Sequence, residues 1–256
     1  MSRVLNLILS HQTRGEVEWL LKWWSHCSPL ENILLAYGGA RENFNSLPDV
    51  QRVFIDDPRL RVAHKQRDKQ SYGGVWRAAA AWLAQHPQAD FTHVYFAECD
   101  QLPLIPDLAN RLIGRLTQEG ADVLGHGVHR IDGTSNSYYL YHIHDPCFEA
   151  FWRRISVRSD KQVVFWMMGT GSFWTRRAFL AVASQHEEIK AYVEVYLPTL
   201  AHHLGFRVRD FRDQHGCVSG DPLRGLSVES ARRKGCWTMH PIKDYGTVCS
   251  SPSREK

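Results

Sequence analysis

The sequence predicts an α/β fold in which a mixed, mainly parallel sheet is flanked by helices. Apolar runs of strand length alternate with stretches of helical spacing up to about residue 130, an order that builds a parallel sheet covered on both faces. The runs are punctuated by glycine and proline, and the chain has no internal repeat and no low-complexity segment. With 256 residues, 43% hydrophobic and 23% charged, it is long enough to bury one large core. A single domain over 1–256 is therefore expected, with one half at 1–130 and a second half plus tail at 131–256.

The elements follow in order. RVLNLILSH (3–11) is a buried strand, and EVEWLLKWWSHC (16–27) is a helix that places Val17, Leu20, Leu21 and Trp24 on one face. ENILLAYGG (31–39) is a strand stopped by a glycine pair. VQRVFID (50–56) and RLRVAHK (59–65) read as short strands on either side of an Asp56-Asp57-Pro58 turn. GGVWRAAAAWLAQH (73–86) is an alanine-rich helix closed by Pro87. THVYFAE (92–98) is a strand, and DLANRLIGRLTQEG (107–120) is a helix with Asp107 as its cap and Gly120 at its end. ADVLGHGVHR (121–130) is a further strand. Beyond it the order becomes irregular. TSNSYYLYHIHD (134–145) reads as an aromatic strand or loop, and 161–184 as strand, glycine turn and helix. The stretch 187–206 is helical, with a kink or break at Pro198. The tail from Asp213 has little periodicity apart from a short helix around 227–235.

Charge and cysteines narrow the class. A net charge of +4, with Lys and Arg scattered, suits an anionic ligand and provides no nucleic-acid arm. The first apolar run is too brief to span a membrane and lacks a small-residue cleavage site. Cys27, Cys99, Cys147, Cys217, Cys236 and Cys249 are widely spaced with no CxxC pair. A reducing, cytoplasmic setting with free thiols is expected.

The segment FAECDQLPLIPDL poses a chemical problem. Glu98 and Asp100 stand at the end of a buried strand, where like charge and desolvation both raise carboxyl pKa values. They need a cation, a proton or solvent. Ligands in open α/β sheets bind outside the carboxyl ends of the strands. A divalent cation there, Mn²⁺ or Mg²⁺, takes carboxylate oxygens and leaves positions open for phosphate. An isolated E-x-D is also what a solvated loop or a helix cap would show.

Four segments in order, KQSYGGVWRAAAAWLAQHPQADFTHVYFAECD, ADVLGHGVHR, MMGTGSFWTRRAF and VEVYLPTLAHHLGFRVRDF, resemble nucleotide-sugar glycosyltransferases of the GT-A fold, family-2-like, with an ExD variant of the DxD motif. The resemblance covers roughly 3–211 and implies transfer of a sugar from a nucleotide diphospho-sugar, a UDP-sugar by preference, to a hydroxyl of a glycan or small-molecule acceptor. It implies that Asp100 and Glu98 hold the metal, with His240 completing the shell and Lys243 beside the diphosphate. Glu194 stands where inverting members carry their base, although Val193-Glu194 replaces the usual Glu-Asp pair. A base is needed to take the acceptor hydroxyl's proton as it attacks the anomeric carbon. Ser10, His11 and Arg14 after the first strand, together with Lys65, Arg67, Lys69 and Ser71, are donor-binding candidates. Gly171 marks the turn near donor sugar and acceptor. Trp166, Phe173 and Trp174 flank that turn, and one of them is expected to stack on the acceptor while the others pack.

Other chemistries compete. His142, His144 and Asp145, with His126 and His129 nearby, would make a zinc hydrolase if alternate strand positions aimed the histidines at one ion. A nucleotidyltransferase would need a glycine-rich first loop, and SHQTRGEVEW has one glycine. A binding module descended from a transferase would share the fold without the reaction.

Overall fold

The computed structural model describes residues 3–57, 60, 74–135, 137–156, 162–185, 191–211, 227–242 and 245. In chain order the first half comprises β1 (Val4–Ser10), α1 (Arg14–Trp24), β2 (Ile33–Tyr37), α2 (Arg41–Ser46), β3 (Arg52–Phe54), α3 (Gly74–Gln85), β4 (His93–Glu98), β5 (Leu102–Pro103), α4 (Leu108–Gln118), β6 (Val123–Gly125) and β7 (His129–Ile131). The second comprises α5 (Ser137–Ile143), α6 (Pro146–Ser156), β8 (Val164–Trp166), β9 (Ser172–Thr175), α7 (Arg176–Ser184), α8 (Val193–His203), β10 (Val208–Asp210), α9 (Val228–Arg233) and β11 (Thr238–Met239).

The predicted α/β architecture is what forms. A seven-stranded sheet runs in the order β10-β6-β9-β4-β1-β2-β3. The pairs β1–β2, β1–β4, β2–β3 and β6–β10 are parallel, and β9 is inserted antiparallel between β4 and β6. Strand alternation divides the core. Leu5, Leu7, Val94 and Phe96 face one side, against Trp76 of α3, Phe179 of α7 and Tyr196 of α8. Val4, Ile8, Tyr95 and Ala97 face the other, against Leu20 and Trp24 of α1 and Leu112 of α4. Both faces of the central strands are covered, which is why their sequences are mostly apolar.

The helix signals work locally. Thr13 and Glu16 form a capping box at the start of α1, with the Thr13 amide donating to Glu16 Oε2 at 2.9 Å. Gly120, at φ +55°, follows the end of α4 as predicted. Asp107 occupies the N-cap position of α4 but makes no side-chain cap bond; its Oδ2 instead accepts from Arg111 Nε at 2.9 Å.

Three expectations are corrected. The 134–145 segment forms α5 rather than a strand or loop. The predicted strand at 121–130 is two strands in different sheets, because β7 pairs with β8. Pro198 does not break α8, which continues through it. The predicted strand at 59–65 lies outside the described residues.

The 102–103 and 238–239 segments decide the site. β5 and β11 pair antiparallel, with Met239 opposite Leu102 and Thr238 opposite Pro103. That register continues to put His240 beside Gln101 and Asp100. The Ile242 amide donates to the Asp100 carbonyl at 2.8 Å and the Leu104 amide to the Trp237 carbonyl at 2.8 Å. The chain's far end is thereby bound to the loop that carries the paired acids.

Candidate active site

The site lies past the carboxyl ends of β1, β2 and β4, which are parallel and so end at one edge of the sheet. Glu98 closes β4 and Asp100 stands in the turn that follows. Glu98, Asp100 and His240 each offer a ligand atom, and these atoms lie within 4.8 Å of one another. His240 Nε2 is 3.2 Å from Asp100 Oδ1, and both side chains are largely buried. Two carboxylates and one imidazole at this spacing fit a divalent cation: the oxygens suit Mn²⁺ or Mg²⁺, and the imidazole nitrogen favours the transition metal of the two.

Glu194 sits in the first turn of α8. Its Oε2 accepts from Trp166 Nε1 at 3.0 Å, and its Oε1 accepts from the Gly169 amide at 3.2 Å. Its pKa is raised, first by burial and then by the nearby charge of Glu98; the bonds from Gly169, Tyr192 and Trp166 oppose that rise. Glu98 is near enough for its charge to contribute to that rise. Pro198 contributes through what it lacks. In a helix the Glu194 carbonyl would accept from residue 198, but proline has no N–H. The Met167 amide takes that carbonyl instead, at 2.9 Å. Nearby, Thr199 Oγ1 accepts from the Phe165 amide at 2.9 Å. Strand β8 is thus bonded along the side of α8, and the turn after it is held against Glu194.

Gly171 takes φ +75°, and a Cβ there would lie 2.6 Å from Gln101 Nε2 and 3.1 Å from His126 Cδ2. Glycine is required on both counts. His126 is buried and its pKa falls to about 3, through desolvation first and the neighbouring His240 second. It is neutral at ordinary pH, and its ring stacks on Phe211 at 4.5 Å.

The remaining candidates divide. Ser10 is fully buried, and its hydroxyl accepts from the Gln12 amide at 3.3 Å, so it shapes the loop after β1 rather than facing a ligand. His11 is exposed at that edge. Arg14 is exposed on α1 and paired with Glu18 at 2.7 Å. Trp166 meets Glu194 rather than standing free as a sugar platform. Trp174 is 0% exposed, inside the core with its Nε1 donating to Ser172 Oγ at 2.9 Å. It cannot stack on an acceptor, because β9 runs through the middle of the sheet. Phe173 is likewise buried. Lys65, Arg67, Lys69, Ser71 and Lys243 lie outside the described residues.

The zinc reading fails on geometry. His142 is on helix α5, buried and stacked on Tyr192 at 3.9 Å, while His144 lies beyond that helix and is exposed. Residues two apart on a helix do not share a face. Among the described residues, the candidate metal cluster is Glu98, Asp100 and His240.

Several site residues carry no motif. Gln101 is fully buried, with Nε2 donating to the Tyr95 hydroxyl at 3.0 Å and to Thr238 Oγ1 at 3.2 Å. Thr170 Oγ1 donates to Gln101 Oε1 and accepts from the Glu98 amide at 2.8 Å. The Tyr245 hydroxyl lies 2.7 Å from both Gln12 Oε1 and the Cys99 carbonyl, and its ring stacks on Trp19 at 4.3 Å. Tyr245 thereby ties the loop after β1 to the acidic loop. A polar residue immediately after an acidic motif was the only available signal for Gln101.

Cys27, Cys99, Cys147 and Cys236 are not joined in disulfides among the described residues, while Cys217 and Cys249 lie outside them. Among the described residues no helix is long and apolar enough to cross a membrane.

No protein-family model matches the sequence, and no curated protein matches it. Among solved structures, the mannosyltransferase PcManGT from Pyrobaculum calidifontis, in complex with GDP-Man and Mn²⁺, is similar with a TM-score of 0.44 and 10% identity. The similarity covers 81% of this chain and 54% of that one, so the chain spans about half the length of that protein. At such distance the site has to be read from its own residues.

Proposed function

We propose that the chain is a glycosyltransferase of GT-A type that moves a sugar from a nucleotide diphospho-sugar to an acceptor hydroxyl with inversion. The observation that carries this reading is the convergence of Glu98, Asp100 and His240 at the carboxyl edge of the parallel strands, with the buried carboxyl of Glu194 within electrostatic reach of Glu98. Glu98, Asp100 and His240 would hold Mn²⁺, or Mg²⁺, which when bound supplies positive charge for the departing diphosphate. Glu194 accepts the acceptor hydroxyl's proton as that oxygen bonds to the anomeric carbon and the carbon–oxygen bond to the diphosphate breaks. Burial raises its basicity, which suits a group that must take a proton near neutral pH. Trp166 and Gly169 hold both carboxylate oxygens, so the base is oriented before the acceptor arrives.

Residues 1–130 would carry the nucleotide, along the loop after β1 and the acidic turn, and 131–256 the acceptor. His11 and Arg14 are the described donor-side candidates that remain exposed, Arg14 in its pair with Glu18. The preference for a UDP-sugar has no support among the described residues, and the titration below leaves the base open. Titration calorimetry of UDP, GDP, CMP and dTDP, each with and without Mn²⁺, tests the proposal. Metal-dependent binding of one nucleotide, lost in Asp100→Asn, is expected. Binding indifferent to metal and to the substitution removes the acids from the mechanism, and absence of binding by all four sinks the transferase reading.

A further inference from the structure

We propose that Gln101 is a positioning residue that sets the spacing of the Glu98–Asp100–His240 triad, an inference that rests on the metal reading of that triad. One side-chain amide joins three segments that are far apart in the chain. Its two N–H groups go to the Tyr95 hydroxyl of β4 and to Thr238 Oγ1 of β11, two residues before His240. Its oxygen accepts from Thr170, whose hydroxyl receives the Glu98 main-chain amide. The strand that delivers the acids, the strand that delivers the histidine and the turn that binds Glu194 therefore meet on Gln101.

Packing alone does not account for an amide here. The site is 0% exposed, and a buried amide is unfavourable unless its hydrogen bonds are met, whereas an aliphatic side chain would fill the space without that requirement. Gln101 meets it with both donors and the acceptor engaged. Gly171 is matched to it, since any Cβ at that position would collide with the amide. β5 and β11 are each two residues long, and the main-chain bonds from Ile242 to the Asp100 carbonyl and from Leu104 to the Trp237 carbonyl hold the backbone on either side of that pairing. The Gln101–Thr238 bond supplies a second constraint on the same pair.

The test is Mn²⁺ titration, followed by the electron paramagnetic resonance of free and bound ion, with Mn²⁺ alone and again with UDP or GDP present. Gln101→Leu is expected to weaken Mn²⁺ binding about ten- to a hundred-fold, the usual effect of losing a partner that orients metal ligands. Thr238→Val and Thr170→Val each break one arm and are expected to weaken it several-fold and alter the bound-ion line shape. Thr238→Ser and Thr170→Ser keep the hydroxyl and are expected to bind as wild type does. A role confined to stability would lower Tm in Val and Ser variants without separating their metal affinities. If Gln101→Leu fails to fold, the Val–Ser comparison at 238 decides. Folded Gln101→Leu and Thr238→Val proteins binding Mn²⁺ within about twofold of wild type overturn the positioning role and leave the triad standing. Wild type without saturable Mn²⁺ binding under either condition overturns the triad itself, and the inference with it.

Discussion

Replacing Glu194 by Gln removes one buried charge and one accepted hydrogen bond at nearly constant shape, so its consequences can be worked out from the structure. The carboxyl's pKa is raised in the fold, chiefly by burial and further by Glu98. The native state then binds more protons than the unfolded chain between the ordinary carboxyl value and the raised one. In that window stability falls as pH rises, and the loss is complete above the raised value. Each tenfold weakening of the acid is about 1.4 kcal/mol. For a chain of this size about 1 kcal/mol moves Tm by roughly 2–4 °C. Glutamine has the shape of the protonated acid, but its NH₂ cannot accept as a hydroxyl oxygen can, so it faces the N–H of Trp166 or of Gly169 with one hydrogen bond lost. Near pH 4 the variant is therefore expected to melt below wild type. As pH rises the difference should move progressively in the variant's favour, by roughly 3 °C for each such factor of ten. The other carboxyls titrate alike in both proteins and cancel in the difference. Transfer should meanwhile fall by about 10²–10⁴-fold. Calorimetric melting curves from pH 4 to 8 read the first effect, and a variant-minus-wild-type Tm difference that stays flat or falls with pH would falsify the buried-charge reasoning. Undiminished turnover would remove Glu194 as the base.

The other expectations are briefer. Wild-type transfer should have an acid limb above the ordinary carboxyl range, being lost as pH falls through the raised value of Glu194; a limb at or below pH 4.5 in the rate profile contradicts the assignment. Trp166→Phe deletes one donor to a charged acceptor, so stability should drop by about 1.5–3 kcal/mol and that acid limb should move to higher pH; an unmoved limb assigns Trp166 to packing alone. Gly171→Ala forces a left-handed residue against the Gln101 amide, at a combined cost of about 2–5 kcal/mol; denaturant unfolding within about 0.5 kcal/mol of wild type would show that the turn relaxes freely. Asp100→Asn should weaken Mn²⁺ by at least about a hundredfold in calorimetry, and retained affinity would exclude Asp100 as a ligand.

Much of the fold was legible because periodicity is a local property. The runs at 3–11, 31–39 and 92–98 and the helices at 16–27, 73–86 and 107–120 all lie where spacing puts them, within a few residues. The failures have distinct causes. TSNSYYLYHIHD is rich in aromatics that favour strands, yet it forms α5, because tertiary packing overrides a propensity of this size. Trp174 follows a glycine turn, and nothing nearby in the sequence indicates that the turn sends its strand antiparallel into the middle of the sheet. Only the resemblance joined the acidic pair to His240; spacing and periodicity could not, since their meeting depends on two two-residue strands more than a hundred residues apart. Gln101, Thr170 and Thr238 are ordinary polar residues whose role arises only from long-range bonds.

The segment from Trp166 to Gly171 explains how the proposed base and the proposed metal site, borne on different elements, keep a fixed separation. Trp166 and Gly169 bind the Glu194 carboxylate, and Met167 binds the Glu194 carbonyl that Pro198 leaves open. Thr170 then turns to Gln101 and to the Glu98 amide, and the Gly171 amide donates to the Phe96 carbonyl at 2.9 Å. Residues 166–169 therefore belong mechanically to α8, and residues 170–171 to the end of β4. A chain this short, bonded at both ends, leaves little freedom between the carboxyl proposed as the base and the cluster proposed to meet the leaving group. Orientation of reacting groups is lost when supports loosen by about an ångström. The glycines here are thus constrained by the bonds their amides make and by the side chains packed on their α-carbons, more than by any need for a loop to move.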